Sequence, residues 1–208
     1  MYIPKHFVIA ENAASHRVIA ENGFGELVTV DAAGAPFASH LPFLLDPARG
    51  PNGTLIAHMA RANPQWQHFA NGKSALAMFH GPHAYVSPAW YATHPAVPTW
   101  NYSIVHAYGT AEPIEDVAEL ERLVARLADH HEAGAATPWR LADQPEKYRQ
   151  GMLRGISGFA IRVTRLEGKF KLSQNRDAVD RGRVIAALRE EGNTDLADLM
   201  TKREAEKA

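Results

Sequence analysis

Four short segments of the sequence place aromatic rings beside side chains that form hydrogen bonds. They span residues 58–66, 84–91, 98–102 and 171–175, and three of the four tryptophans lie within them. None of them shows the sustained apolar period of a helix or of a strand. A flat ring system with polar edges requires stacking faces and edge donors at the same place. These segments therefore favour a ligand of that kind, such as a flavin.

Other catalytic and metal-binding patterns are missing from the sequence. The chain has no cysteine, which excludes disulfides, thiolate nucleophiles and cysteine-based metal sites. His130, His131 and Glu132 lack the histidine spacing of a helical zinc site, and His80 and His83 alone provide too few ligands. The nucleophile elbow, the P-loop and the glycine-rich dinucleotide fingerprint do not occur. We therefore expect no bound metal.

Length and charge limit the remaining classes. A chain of 208 residues buries roughly 70% of its unfolded surface as one domain, which is enough for a hydrophobic core. The 22 basic and 23 acidic residues give a net charge of -1, and this balance gives no support to DNA binding. No apolar run reaches the ~20 residues that cross a bilayer, and the first residues lack the pattern of a signal peptide. We expect a cytoplasmic protein without membrane contact.

Most of the elements that must position the four segments have the character of strands. A turn at 31–34 separates two β-rich runs and predicts a hairpin, and a second turn is predicted at 80–82. The strands are predicted at residues 24–30, 35–45, 54–58, 74–79, 84–87, 103–111 and 156–166. Together they indicate a mostly antiparallel sheet that is long enough to close.

Helices are predicted mainly in the second half of the chain. Apolar residues recur at spacings of three and four from Asp116 to His131, as in an amphipathic helix. Further helices are predicted at residues 11–23, 63–70, 145–153, 179–190 and 194–203. A largely antiparallel sheet with helices added late in the chain is typical of the α+β class.

The four segments occur together with other short strings that identify a family. These strings are residues 1–4, Phe7, residues 40–43, the turn at 81–82 and residues 106–109. In this order they resemble the FMN-binding negative transcriptional regulator family, the PaiB-like proteins. The resemblance extends from residue 1 to about residue 175.

The resemblance implies a fold, a cofactor and an oligomeric state. The fold is α+β, a mostly antiparallel split β-barrel (the FMN-binding split barrel) with flanking and C-terminal helices. Residues 1–175 would form the barrel domain, and residues 176–208 a C-terminal helical extension packed on the same domain. Split barrels of the pyridoxamine-phosphate-oxidase type hold FMN across a dimer interface. A homodimer that binds FMN is therefore expected.

The same resemblance implies that side chains on and after a middle strand hold the FMN phosphate. The corresponding residues here are His58, Arg61 and Asn63. Arg61 offers a planar fork to a phosphate, and Asn63 opens a helix whose first amides favour anions. In the alternative interpretation Arg61 is a surface charge and Asn63 is only a helix cap.

A second group of candidates is expected around the flavin ring. Trp90, Tyr91 and Trp100 would form its walls, and Thr99 or Asn101 would bind its polar edge. Lys171 and Gln174 follow the last strand, where they could reach the phosphate or the nitrogen and oxygen edge of the ring. The alternatives are core or interface packing for the aromatic residues and a solvated strand end for Lys171 and Gln174.

Two functions remain open at this point. The family name implies a repressor, whose candidate DNA contact is the helix beside Arg176, Arg181, Arg183 and Arg189. That helix also carries Asp177, Asp180, Glu190 and Glu191, so its charge is mixed and a solvated face is the simpler interpretation. The other function is a small FMN-dependent oxidoreductase without direct DNA binding. Fold and cofactor do not decide between a regulator and an enzyme.

Overall fold

A computed structural model describes residues 1–206, with the backbone alone at Asn71. Its strands are β1 (Val8–Ile9), β2 (Phe24–Val30), β3 (Pro36–Asp46), β4 (Thr54–Ala60), β5 (Ala75–Val86), β6 (Thr99–Ile114) and β7 (Ile156–Lys171). Its α-helices are α1 (Asn12–Glu21), α2 (Val117–Glu132), α3 (Glu146–Arg154), α4 (Ala178–Glu190) and α5 (Thr194–Ala205). Short 3-10 helices lie at Lys5–Phe7, Pro64–Asn71, Pro88–Trp90 and Leu141–Asp143.

The strands form one sheet in the order β1-β7-β4-β3-β2-β5-β6, and a further pairing joins β6 to β7. Because β7 and β6 pair, the six strands from β2 to β7 make a closed ring, with β1 added to β7. The pairs with a defined register, β1–β7, β2–β3, β2–β5, β3–β4 and β4–β7, are all antiparallel. The predicted α+β class with a closing antiparallel sheet is therefore confirmed.

The predicted hairpin is confirmed as β2 and β3. Its register runs from Val30 opposite Pro36 to Phe24 opposite Pro42. The turn is closed by Asp31, whose amide donates to the Ala35 carbonyl at 2.9 Å. The Asp31 carboxylate in turn accepts from the Ala35 amide at 2.8 Å.

The predicted turn at 80–82 is wrong, because β5 continues from Ala75 to Val86 as one strand. The buried positions alternate up to Gly81 and resume at Ala84, one position out of phase. Such a shift indicates one extra residue in the strand, as at a β-bulge, so the chain does not reverse. Gly81 and Pro82 are turn residues in isolation, but here a bulge accommodates them.

The described residues divide into two compact units. Unit 1 contains residues 1–21 and 80–105 and the described residues from Glu167 onward, and unit 2 contains residues 22–79 and 106–166. In unit 2 the core is aromatic: the Phe43 ring lies 5.4 Å from that of Phe79 and 6.2 Å from that of Phe159. In unit 1 α4 and α5 pack through buried apolar residues, among them Leu188 and Leu196. The expected boundary at residue 175 stays a prediction.

Within the part of the chain that the structure describes, no helix is long and apolar enough to span a membrane.

Candidate functional site

Arg61 lies in the turn that follows β4, and its side chain is exposed. Its amide donates to the Gly155 carbonyl at 2.8 Å, and its carbonyl accepts from the Trp66 indole nitrogen at 3.0 Å. The guanidinium lies over the Trp66 ring at 5.3 Å from the centroid. Within residues 1–206 it forms no ion pair. The backbone is thus anchored without the side chain.

The Asn63 side chain forms two hydrogen bonds at the same turn. Its Oδ1 accepts from the Gln65 amide at 3.0 Å, so it caps the 3-10 helix Pro64–Asn71. Its Nδ2 donates to the Ser39 hydroxyl at 2.8 Å. The asparagine is therefore a cap, as in the alternative interpretation, and Ser39 is the polar group that it positions. The pattern of the sequence did not single out Ser39.

Gln65 fixes this turn to the hairpin. It is fully buried, and its Nε2 lies 2.9 Å from the Leu27 carbonyl, 3.1 Å from the Thr29 hydroxyl and 3.1 Å from the Phe37 carbonyl. A buried amide with acceptors on two strands is costly to displace, because its partners would be left unsatisfied. Gln65 therefore acts as a positioning residue for the Arg61 turn.

A cavity of about 560 Å³ borders Arg61. Its size falls in the range of about 300–1,000 Å³ that holds small ligands. Most of its wall is apolar, and two guanidinium groups and two carboxylates stand among the lining residues. The residues are Arg61, Trp66, Pro113, Ile114, Glu115, Val117, Leu120, Glu121, Gln150, Leu153, Arg154 and Ser157.

His58 is half-buried near the end of β4, and its Nδ1 is buried without a hydrogen-bond partner. Burial lowers the pKa of His58 from its ordinary value of 6.5, because a charged ring is poorly solvated there. A neutral imidazole with one unused nitrogen offers a ligand either a donor or an acceptor, depending on its tautomer.

Two exposed rings stand on the hairpin. Phe24 is 69% exposed, and its ring is stacked on that of His40 with centroids 6.4 Å apart. The His40 Nε2 lies 3.8 Å from a carboxylate oxygen of Glu26. Since His40 follows Ser39 on β3, this pair adds an aromatic surface to unit 2.

The other predicted residues belong to unit 1, where the structure brings three of them together. The Lys171 ammonium donates to the Thr99 hydroxyl at 2.6 Å and to the Trp100 carbonyl at 2.5 Å. Burial lowers the pKa of Lys171, and the nearby charge of Lys169 lowers it further. The Trp100 side chain remains 53% exposed, so its indole is accessible.

Asn101 and Gln174 are engaged internally. Asn101 is fully buried, and its Nδ2 donates to the Ser173 hydroxyl at 2.9 Å. Gln174 closes the turn after β7: its Nε2 donates to the Phe170 carbonyl at 2.6 Å, and its Oε1 accepts from the Leu172 amide at 2.7 Å. Both side chains thus shape their segments.

Trp90 and Tyr91 lie on a loop that α4 holds. The Asp180 carboxylate, almost fully buried, accepts from the Ala92 amide at 2.7 Å and from the Thr93 amide at 3.2 Å. The Arg176 guanidinium lies 4.2 Å from the centroid of the buried Tyr91 ring. Trp90 is only partly buried, so the loop presents this indole.

Unit 1 also has a shallow aromatic cavity of about 430 Å³, lined by His80, His83, Trp100, Tyr102, Ser103 and Ile104. The Trp100 ring lies 6.1 Å from that of Tyr85 and 6.5 Å from that of His83. Ser103 is 2% exposed, and its hydroxyl has no hydrogen-bond partner. An unpartnered hydroxyl and open ring faces are suited to a planar ligand.

The C-terminal arginines are largely neutralised inside unit 1. Arg176 lies 3.9 Å from Asp180, Arg189 lies 2.9 Å from Asp198, and Arg181 pairs with Glu204. Paired charges attract a phosphate backbone less strongly than free ones. This pairing agrees with the mixed charge that the sequence indicated.

In residues 1–206 no group of three histidine, cysteine, aspartate or glutamate side chains is arranged to hold a metal ion.

The sequence matches a known protein family. The family model described as "Putative FMN-binding domain" matches residues 1–165. Protease synthase and sporulation protein PAI 2 of Bacillus subtilis (strain 168) is 37% identical over 203 residues, which cover 96% of each chain. These matches confirm the resemblance that the sequence motifs indicated.

Solved structures share the fold. The FAD and heme binding protein from Mycobacterium smegmatis aligns with a TM-score of 0.62 at 17% identity, covering 86% of this chain and 79% of that one. The flavocytochrome Anf3 from Azotobacter vinelandii aligns with a TM-score of 0.59 at 15% identity, covering 81% and 72%. At such identities the likeness concerns the fold alone, and it confirms the predicted split-barrel fold.

Proposed function

Because the chain belongs to the FMN-binding domain family, whose model matches residues 1–165, we propose that it is a homodimeric flavoprotein of the negative transcriptional regulator type. FMN is the cofactor of this family, as the sequence predicted. We propose further that the flavin lies at the dimer interface and that the protein has a regulatory role.

One observation carries the proposal for the phosphate: the Arg61 guanidinium forms no ion pair with the residues that the structure describes, and it borders a cavity of about 560 Å³. Arg61 would bind the FMN phosphate through charge-assisted hydrogen bonds. The Ser39 hydroxyl, fixed by Asn63 at 2.8 Å, is a second candidate contact. His58 would offer its unpartnered Nδ1. The polar groups of this turn therefore fit an anion.

The aromatic candidates for contact with the flavin ring all belong to unit 1. Trp90 and Trp100 offer accessible indoles to the isoalloxazine ring, and Thr99 offers its hydroxyl. Tyr91 is buried beside Arg176, whereas Asn101 binds Ser173 and Gln174 closes the turn after β7 through hydrogen bonds. When bound, FMN supplies electron and hydride transfer, while the protein supplies placement and electrostatics.

A second function, an FMN-dependent oxidoreductase without direct DNA binding, is favoured by the charge pairing in unit 1. Arg176, Arg181 and Arg189 each face a carboxylate, so three of the four candidate arginines are paired, while Arg183 is exposed. Reduction of bound FMN by NADPH without oxygen would support this function. A sequence-dependent gel shift at physiological salt, with competitor DNA present, would support the regulator.

The absorption spectrum of the purified protein, before and after addition of FMN, tests the core of the proposal. We expect a visible flavin band that stays with the protein through gel filtration. Light scattering should give twice the chain mass of 22.9 kDa. A protein that releases all added FMN, or that stays monomeric at micromolar concentration, would contradict the proposal.

A further inference from the structure

Two neighbouring lysines of β7, Lys169 and Lys171, have no counter-ion among the described residues. Neither forms an ion pair with any residue between 1 and 206. We propose that this lysine pair binds the phosphate of an aromatic phosphate monoester, at a site separate from the Arg61 turn. The site lies wholly within unit 1.

Lys169 is stronger evidence for this site than Lys171, because its charged side chain is only 8% exposed. Its ammonium donates to the Tyr2 carbonyl at 3.2 Å. It also lies over two aromatic rings, 5.9 Å from the centroid of Tyr2 and 5.2 Å from that of Tyr102. A lysine ammonium has three donors, so this contact leaves two of them without an oxygen acceptor.

Lys171 lies two residues further along β7 and therefore on the same face of the strand. It donates to the Thr99 hydroxyl and the Trp100 carbonyl, and both are neutral acceptors. Burial and the charge of Lys169 lower the pKa of Lys171. A lowered pKa means that the charged form is disfavoured here, and a bound anion would reverse that effect.

Glu167 is the acidic residue of β7 and lies two positions before Lys169. Glu167 forms an ion pair with the α-amino group of Met1 at 2.5 Å. Burying charged groups without partners is costly, and a bound anion would offset that cost. Two ammonium groups match the charge of a phosphate monoester, near -2, better than the single charge of a carboxylate.

The adjoining aromatic residues specify the rest of the ligand. Trp100 and Tyr102 contact the lysine pair and also line the cavity of about 430 Å³. Ser103 adds a buried hydroxyl without a partner to the same cavity. A planar ring that stacks there, with its phosphate directed at the lysines, would use both features.

The probe for this site is phenyl phosphate, titrated into the protein with and without saturating FMN and followed by tryptophan fluorescence and calorimetry. We expect binding without FMN, and also in Arg61→Ala; saturating FMN should weaken it, because the Trp100 indole is proposed to contact the flavin ring as well. Lys169→Met and Lys171→Met should each weaken it about tenfold to a hundredfold, since each removes a charge-assisted contact. Lys171→Arg should retain it, and Lys202→Met, at an exposed lysine of α5, is the matched control.

Folding and flavin binding are measured on the same variants. Lys169→Met should keep or raise the melting temperature, because an apolar side chain replaces a buried unpaired charge. Absence of phenyl phosphate binding to the wild-type protein would overturn the proposal. So would lysine variants that lose affinity for FMN but not for riboflavin, because the pair would then serve the flavin phosphate. If FMN does not bind to the protein, the titration of phenyl phosphate without FMN still tests the proposal.

Discussion

The substitution Arg61→Ala separates a phosphate contact from a structural role. The turn around Arg61 is held by two hydrogen bonds of its backbone, to Gly155 and from Trp66, and both survive removal of the side chain. The guanidinium lies over the Trp66 ring at 5.3 Å from the centroid. Such an exposed contact contributes about 0.5–1 kcal/mol. The free energy of unfolding should therefore fall by about 1 kcal/mol or less.

The expected effect on the ligand is larger. A hydrogen bond to a charged group contributes about 1.5–3 kcal/mol, which corresponds to a roughly tenfold to hundredfold weaker affinity for FMN. Riboflavin has no phosphate, so its affinity should change much less. Titrating the wild type and the variant with both flavins, followed by quenching of flavin fluorescence, measures the difference.

The control is Arg126→Ala, which removes another exposed arginine of unit 2, on α2. It should bind both flavins like the wild type. Equal losses of FMN and riboflavin affinity in Arg61→Ala would mean a general disturbance of the pocket. No loss at all would return Arg61 to the solvated surface and refute its role.

Three further outcomes are expected. Asp180→Ala should destabilise unit 1 by at least about 3 kcal/mol in thermal or urea unfolding, because the Ala92 and Thr93 amides lose a charged acceptor. Asp180→Asn should recover part of this loss. An unchanged unfolding midpoint would count against the role of Asp180 in holding the loop. The lowered pKa of His58 means that the unfolded chain binds a proton more readily below pH 6.5, so stability should fall as pH falls through that range, by at most about 1.4 kcal/mol per unit. His58→Gln should flatten this part of the profile, and an identical profile would assign it to other groups. Duplex DNA binding, measured by gel shift, should be weak and should fall steeply with salt; an affinity that is insensitive to salt would contradict the charge reasoning.

Local patterns in the sequence predicted much of the fold. The β2–β3 hairpin follows from the turn residues between Asp31 and Gly34, and Gly34 has a φ of 91°, in the left-handed region that favours glycine. Helix α2 was predicted from Asp116, which caps it by accepting from the Glu119 amide at 2.7 Å. β5 was mispredicted because Gly81 and Pro82 also fit a bulge, and only pairing with neighbouring strands distinguishes a bulge from a turn.

The candidate site was less predictable because its positioning contacts are remote in sequence. Gln65 reaches the Leu27 carbonyl across 38 residues, and Asp180 reaches the Ala92 amide across 88. A single glutamine or aspartate carries no local sign of such a partner. Arg61 and Lys171 could be proposed from family motifs, whereas Ser39 and Lys169 emerge only from their burial and neighbours.

The hydrogen bonds from the Ala92 and Thr93 amides to Asp180 also imply an order of folding during synthesis. The loop leaves the ribosome long before α4 exists, so a nascent chain ending before residue 180 has no acceptor for these two amides. Closing so long a segment costs entropy that is recovered only when α4 docks. The aromatic loop should therefore be among the last parts of unit 1 to become ordered. A truncation after residue 165, where the family model ends, would remove β7 from Leu166 onward together with α4 and α5, and would leave that loop without its anchor.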